Sequence, residues 1–284
     1  MKENKLFFLD GKRAMISLGP LSEQQHCPYR CAFCYVQDGF SHYANLDIDS
    51  ILAFLISNRK RYEIVYISGD TDSFAPPRTE IALDLLLRIS NQLDVDLLFT
   101  TRTVFNSDQL TAIKNVADNQ RQKGHRLYAC ISITRYSKNV AYIEPAPIPS
   151  PDDRIETLIN LKKAGATTVL TLRPFLPVVD VNDYITILAK SKEYVDIALG
   201  ESFYFVPNGA IYKRVFPNGI PEPCKKDITH GNKMDFDTND LDWDIWDSSA
   251  YEEVVRQYCD QHGIIFAMHS KDAIAEYETK FPLT

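Results

Sequence analysis

Several features are missing from this sequence, and each omission narrows what the chain can be. No apolar run reaches the roughly 18–20 residues needed to cross a bilayer, so no membrane-embedded segment is expected. The opening Met1-Lys2-Glu3-Asn4-Lys5 leads into only a brief apolar stretch, and no secretory signal is expected from it. Basic residues are not in excess: 31 Lys and Arg face 38 Asp and Glu, for a net charge of −7. Such a chain has no global field to collect nucleic acid, although a local basic groove stays compatible with it. Six cysteines, three of them isolated, do not make the paired framework of a disulfide-stapled secreted domain. Repeats and low-complexity segments are also lacking. What is left is a globular chain of 284 residues, 45% hydrophobic, of ordinary length for one α/β barrel. Reduced thiols place it in the cytoplasm.

The other three cysteines carry the chemistry. Cys27, Cys31 and Cys34 lie within eight residues, spaced Cys-x3-Cys-x2-Cys, with Phe33 just before the last. Three thiolates on one loop can hold three irons of a [4Fe–4S] cube. With no fourth cysteine nearby, one iron is left open for chemistry. A structural zinc would need four N or S ligands. His26 could be the fourth, but it adjoins Cys27 and would strain a tetrahedron. The loop resembles the signature of radical S-adenosylmethionine (SAM) enzymes, in which SAM's amino and carboxylate groups chelate the open iron.

Hydrophobic periodicity predicts an alternation of strands and helices. Strands are expected at 13–19, 63–67, 95–100, 127–133, 167–172 and 196–206. Helices are expected at 47–59, from Thr79, at 107–119 with Ser107 as N-cap, at 152–164 and at 182–190. Repeated strand–helix units give a parallel sheet, and right-handed crossovers curl it. The fold class is therefore α/β, a (β/α)6-type partial barrel. Its sites should lie at the C-terminal strand ends, where the cysteine loop follows the first strand. Residues 1–207 read as this core and 208–284 as a C-terminal extension. Turn formers at 208–249 predict irregular structure, either a lid over the mouth or a solvated loop. A helix at 250–262 and a strand at 264–268 close the chain.

The candidate cofactor contacts follow the strand ends. After the second strand, Ser68-Gly69-Asp70 falls where radical SAM enzymes carry a Gly-Gly-Glu-like segment, and the resemblance implies contact with SAM's ammonium. Glycine permits close backbone approach. After the third strand, Arg102 can pair with a carboxylate bidentately. On the fourth, Cys130, Ser132 and Thr134 share a face toward the barrel interior, and Ser132 is a candidate for SAM's ribose hydroxyls or carboxylate. Arg173 aims a further cation at the mouth. Phe33, Tyr35, Tyr29, Phe74 and Tyr136 offer aromatic faces for the cluster and adenine. The series Cys-x3-Cys-x2-Cys-Tyr-Val-Gln, Thr101-Arg102-Thr103, Ser132-Ile133-Thr134, Ile143-Glu144-Pro145, Pro151 to Arg154 and Leu172-Arg173-Pro174 is similar, over roughly residues 13–180, to spore photoproduct lyase and its SplB-like relatives. That similarity implies SAM contacts at Arg102 and Ser132, with Arg102 standing where those enzymes usually have lysine. Beyond residue 180 the match is poor.

Cys130, Cys224 and Cys259 are too dispersed for a second cluster. Cys130 and Cys224 are candidate hydrogen-atom donors to a substrate radical, against the plainer readings of a buried core thiol and an incidental surface thiol. The implied cofactors are a [4Fe–4S] cluster and SAM, and the implied partner is a low-potential electron donor of flavodoxin or ferredoxin type. The substrate is a nucleotide or nucleic-acid lesion by resemblance. A small molecule or peptide fits the acidic charge and the acidic, aromatic run Asp235–Asp247. A non-catalytic module holding zinc or a labile cluster in the same loop is the alternative of a different class.

Overall fold

Strand–helix alternation in the chain becomes a sheet in which almost every strand lies beside its predecessor. The structure is a computed structural model and describes residues 8–10, 12–18, 27–38, 47–69, 71–234 and 239–283. In order, the elements are β1 (Phe8–Asp10), β2 (Arg13–Ile16), α1 (Ile48–Ser57), β3 (Ile64–Ile67), α2 (Thr79–Gln92), β4 (Asp96–Thr101), α3 (Ser107–Gln122), β5 (Leu127–Ser132), α4 (Pro151–Lys163) and β6 (Thr167–Thr171). Then come α5 (Val181–Ser191), β7 (Ile197–Leu199), β8 (Phe203–Phe205), α6 (Ala210–Val215), α7 (Glu222–Lys225), β9 (Ile228–Asn232), β10 (Trp243–Trp246), α8 (Ser249–Gln261), β11 (Ile265–Ala267) and α9 (Ser270–Lys280).

The main sheet runs β1-β2-β3-β4-β5-β6-β7-β11. Its seven strands from β2 to β11 are parallel, and β1 is antiparallel at the edge. The expected six-strand partial barrel is there, and a seventh parallel strand comes from the end of the chain. Local chemistry explains the helix starts. Asp47 caps α1 by accepting from Ser50 N. Asn106 and Gln109 form a capping box at α3, so the cap is one residue earlier than the expected Ser107. Ser150 and Asp153 form another at α4, with Pro151 in the first turn. On α2 the burial follows one face. Ile81 and Leu87 are exposed, while Ala82, Leu83, Leu85, Leu86 and Ile89 are buried, because only one face of the helix meets the sheet.

Two expectations are corrected. The apolar stretch 196–206 is two strands in two sheets: β7 ends in the barrel, and β8 pairs with β10 in an antiparallel sheet ordered β8-β10-β9. The stretch 208–249 is therefore not mostly irregular. Besides that sheet it contains α6 and α7. Its strands are only 3–5 residues long, and the register shifts between Trp243 and Ile245, which breaks the period-two pattern that marks a strand. Trp243 and Phe205 are buried, and Phe203 and Phe205 stack at 5.3 Å, so this small sheet joins the same hydrophobic core as the barrel.

The barrel interior is filled below the site by Ile64, Leu98, Tyr128, Val169 and Ile197, together with Ala273, Ile274 and Tyr277 of α9. The terminal helix thus packs into the concave side. Arg13 of β2 reaches Ser270 at its start, Nη1 to Oγ 2.5 Å, and Tyr128 OH donates to Glu278 Oε1 at 2.9 Å. Ile274→Ala, at a side chain only 7% exposed, is expected to lower unfolding free energy by about 2–4 kcal/mol. Urea denaturation followed by circular dichroism measures this, and an unchanged midpoint would mean that α9 does not complete the core.

Candidate active site

The loop after β2 carries the three cysteines to the C-terminal strand ends. Cys31 is buried, Cys27 and Cys34 are half-buried, and none is in a disulfide. Their side chains share one cluster with Tyr29, Phe33, Ala75 and Ile148. Backbone bonds fix the loop from several sides. Cys34 N donates to Cys31 O (3.1 Å) and Ala32 N to Ile143 O (2.9 Å), and Gln37 Nε2 donates to Cys31 O (2.7 Å). Arg214, from α6, donates through Nε to Ala32 O and through Nη2 to Cys34 O, both 2.9 Å. Burial pushes the Cys27 thiol up to about 11, aided by the Asp72 carboxylate, and Cys31 up to about 12; Cys34 is raised by the same cause. Cys27 and Cys31 also feel the charge of neighbouring thiols. A metal centre here must therefore displace three protons as it binds.

The donor set separates the metal readings. Among the described residues, no three Cys, His, Asp or Glu side chains are placed to hold one metal ion. Tetrahedral zinc with bonds of about 2.3 Å would draw its sulfurs to about 3.8 Å from one another. A cube instead gives each thiolate its own iron, so the three loop thiols in this apolar nest fit it without a fourth protein ligand.

Beside the loop lies a buried ionic network. Glu144 is 1% exposed. Its carboxylate accepts from Arg154 Nη1 (3.0 Å) and Nη2 (2.6 Å) and from Arg102 Nε (3.2 Å). Burial alone would raise its pKa, but the two guanidiniums hold it down at about 2. Arg154 also donates to Ser132 O (2.5 Å). Asp72, equally buried, accepts from Arg102 N (2.7 Å), Thr101 Oγ1 (2.9 Å) and Phe74 N (3.0 Å), and burial raises its pKa. Two carboxylates thus fix Arg102 at backbone and Nε. Its terminal nitrogens make no bond within the described residues, and its Cζ lies 5.6 Å from the Phe33 ring centroid, within cation–π range.

A cavity of about 360 Å³ opens at this point. Of the residues expected at the site, Cys31, Cys34, Phe33, Tyr35, Gly69, Arg102, Cys130, Ser132 and Arg173 line it. Ser132 Oγ bonds Thr171 Oγ1. Arg173 bridges two strand ends, donating to Gly200 O and Met268 O at 3.3 Å each. Cys130 lies deeper. Burial pushes its thiol up to about 12, so it holds its hydrogen at neutral pH. Tyr66 OH, also in the cavity, bonds Thr100 Oγ1 at 3.0 Å. The β8 strand and the residues before it (Glu201, Ser202, Phe203, Tyr204) border the same space.

Other expected contacts are elsewhere. Ser68 does not line the cavity: its Oγ accepts from Ser73 N (2.9 Å), securing a turn with φ of 70°. Asp70 lies outside the described residues. Tyr29 bonds Thr103 (3.0 Å), Phe74 stacks on Phe99 (4.7 Å), and Tyr136 bonds Asp152 (3.0 Å); none of the three borders the cavity. Cys224 does not either. Its Sγ sits 3.8 Å from Pro177 O, against the loop after β6. Asp72, Tyr66 and Arg214 were missed. Asp72 and Tyr66 carried no local signal beyond their strand. Arg214 is some 180 residues from its partners, a distance no sequence pattern spans.

Arg154→Met, which strands the buried Glu144 charge, is expected to cost about 3–5 kcal/mol. The sign of the pH dependence follows from Glu144. Its folded pKa is depressed to about 2 from 4.5, so its stabilisation is present above 4.5 and is lost as pH falls through the folded value. Acid titration of unfolding should therefore show a steeper loss between those limits in wild type than in Glu144→Gln. Equal slopes would remove Glu144 from the account.

Residues 23–190 match the family described as the Radical SAM superfamily. No curated protein sequence matches the chain. Among solved structures, spore photoproduct lyase complexed with dinucleoside spore photoproduct superposes with a TM-score of 0.63 at 14% identity, covering 89% of this chain and 81% of that one. A cysteine-to-serine variant of the same enzyme gives 0.65 at 13%, with the same coverage. Streptococcus suis SuiB bound to S-adenosylmethionine gives 0.61 at 11%, covering 95% of this chain and 52% of that one. At these identities the likeness is one of fold.

Proposed function

The chain belongs to the radical SAM superfamily, and from that premise we propose that Cys27, Cys31 and Cys34 hold a [4Fe–4S] cluster and that the cavity beside them takes SAM and then substrate. Enzymes of this superfamily use that cluster and SAM. When bound, the pair supplies the chemistry: one electron breaks SAM's C5′–S bond, leaving methionine and a 5′-deoxyadenosyl radical that takes a hydrogen atom from substrate.

The chain's own residues do the rest. Arg102, held by Glu144 and Asp72, lines the cavity beside Cys31 and Cys34, where a carboxylate on the open iron would lie. This fixed guanidinium at the cavity wall is the observation that carries the reading, because of its side-chain nitrogens only Nε is bonded among the described residues, to Glu144, and a guanidinium can also hold a carboxylate through its terminal nitrogens. Gly69 lets the backbone approach the ammonium. Ser132 and Arg173 present a hydroxyl and a cation to the rest of the cofactor, and Phe33 and Tyr35 offer faces for the adenine. Cys130, neutral and inside the cavity, is the hydrogen-atom donor that would quench a substrate radical. Cys224 has no route to it.

For substrate, we favour a nucleotide or nucleic-acid lesion. The support is the likeness, over most of both chains, to a lyase crystallised with a dinucleoside photoproduct. A peptide or small metabolite is the second reading, favoured by the net charge of −7 and by the similarity to SuiB, which has been seen bound to a precursor peptide.

Anaerobically reconstituted protein is expected to absorb near ~400 nm as thiolate-ligated clusters do, and to release 5′-deoxyadenosine with dithionite. Alanine at all three loop cysteines should abolish both. One equivalent of zinc and no iron would favour the non-catalytic module instead. Arg102→Ala should weaken SAM binding at least about tenfold, a charge-assisted hydrogen bond being worth about 1.5–3 kcal/mol. Calorimetry on the reconstituted variant reads this, and unchanged affinity would remove Arg102 from the SAM site. Cys130→Ala should keep its iron yet lose turnover, whereas loss of iron would make Cys130 a packing residue.

A further inference from the structure

We propose that the cavity wall built by Arg13, Arg173 and the segment Met268–Ser270 binds a phosphate group of the substrate, so that the substrate is a phosphate ester and not a neutral nucleoside or a cationic peptide. This rests on the radical SAM reading above and deepens it by naming the class of molecule that lies beyond SAM.

Two guanidiniums distant in sequence meet here. Arg13 lies on β2 and Arg173 follows β6, strands separated by three others in the sheet, and both side chains line the cavity. Each is held by the short connection between β11 and α9. Arg173 donates through Nη2 to Met268 O and through Nε to Gly200 O, both 3.3 Å. Arg13 donates through Nη1 to Ser270 Oγ at 2.5 Å. The anchors Met268 and Ser270 are two residues apart, at most about 7 Å along the chain, with His269 between them at the same wall. Both charges also reach one hydroxyl. At Tyr66 they oppose the upward push of burial, and Arg173 does the same at the Cys130 thiol. The two cations therefore act on the interior of the cavity.

Arg173 carries the argument. Its two acceptors are peptide carbonyls, and it makes no ion pair among the described residues. Glu201, the one carboxylate among the described residues lining the cavity, forms no ion pair with it. Arg102 differs, since its Nε meets the Glu144 carboxylate. SAM has a single carboxylate, and the reading above gives that group to Arg102. The adenosyl half of SAM, which would border Arg173, offers no anion. A half-buried guanidinium bonded only to neutral groups keeps its charge for a ligand, and its fork matches phosphate. The end of α9 adds to this site without making it. His269 is the N-cap, no side chain caps the helix, and the positive helix end meets the same wall.

The consequence is a choice among substrates. Two guanidiniums repel a cationic peptide, and a neutral nucleoside leaves them without an anion. A nucleotide brings a base for the aromatic side of the cavity and a phosphate for this wall. Binding the phosphate makes and breaks no covalent bond. It fixes the far end of the substrate, and so sets which of its hydrogens lies nearest the cofactor.

The test is calorimetry on the reconstituted, oxidised protein loaded with SAM. The probes are inorganic phosphate, succinate, and the deoxynucleoside 5′-monophosphates beside their nucleosides. Inorganic phosphate should bind saturably. At least one monophosphate should bind at least about tenfold tighter than its nucleoside, as a charge-assisted hydrogen bond provides. Arg173→Gln should erase that ratio. His269→Glu sets a carboxylate at the same wall and leaves both arginines in place. It should erase the ratio too, with the far-ultraviolet circular dichroism of wild type, which keeps the test decisive if Arg173→Gln loosens the fold. Equal affinity for nucleotides and nucleosides, or a phosphate preference retained in His269→Glu, would overturn the proposal and leave the arginines as clamps on α9. So would tighter binding of succinate than of phosphate. Wild-type protein without iron, or without affinity for SAM, would instead count against the radical SAM reading. Phosphate is titrated into the iron-free protein as well, so the two failures are distinct.

Discussion

One buried carboxylate organises the reactive end of this barrel. Glu144 takes both arms of Arg154 and the Nε of Arg102, and each of those arginines belongs to a different part of the structure. Arg154 rises from α4 and also holds the carbonyl of Ser132 at the end of β5. Arg102 follows β4 and faces the cysteine loop. Glu144 lies between the two guanidiniums, and Asp72 adds a second buried carboxylate beside Arg102. The cost of burying ions is met only with good geometry and further hydrogen bonds, which is why Asp72 matters. It fixes the backbone at Arg102 and the hydroxyl of Thr101, while Glu144 holds the Nε of the same arginine.

Around that network, the molecule divides its labour by layer. Residues facing the helices are apolar and fully buried, as with Ala14, Val65, Phe99 and Leu170. Residues facing inward change character with height. Ile64, Leu98 and Val169 fill the lower interior with the terminal helix α9. Thr100, Cys130 and Tyr66 form a middle layer, and Ser132, Thr171, Arg173 and Arg102 the mouth. This gradient from packed to polar follows from strand pleat alone, since every second residue faces the interior. The small antiparallel sheet β8-β10-β9 then borders the mouth, and α6 behind it sends Arg214 to the cysteine loop. The second half of the chain thereby secures the loop that begins the first.

The loop itself shows why burial matters to its chemistry. Three thiols in an apolar nest hold their protons far above neutrality, and only a strongly bound cation exchanges for them. Cys130, by contrast, keeps its proton in the cavity and has no other thiol beside it to share a metal. The same residue type therefore serves two purposes, and the difference is set by company and not by identity.

Much of this was legible in the chain. The Cys-x3-Cys-x2-Cys spacing declared the metal loop, because three ligands on one short loop need no tertiary structure to be brought together. Strand and helix periods gave the barrel, since each βα unit buries its own stripe or face and the pattern records it. Helix starts were readable to within a residue: 47, 107 and 152 were expected, and the helices begin at Ile48, Ser107 and Pro151. The meeting of Glu144 with Arg102 and of Arg214 with Cys34 was not, because partners tens to almost two hundred residues apart share no local pattern. The split of 196–206 into two sheets was hidden for a similar reason: Phe203 and Phe205 look like a continuation of β7, and only pairing with Trp243–Trp246 shows that the chain has turned away. Nor could sequence say that Ser68 would spend its hydroxyl on Ser73, or that Tyr136 would face Asp152. Sequence by itself determined the kind of chemistry, which depends on residue types at short spacing; tertiary structure alone decided which polar groups remain unsatisfied and face the cavity, because that depends on what every other element has already paired.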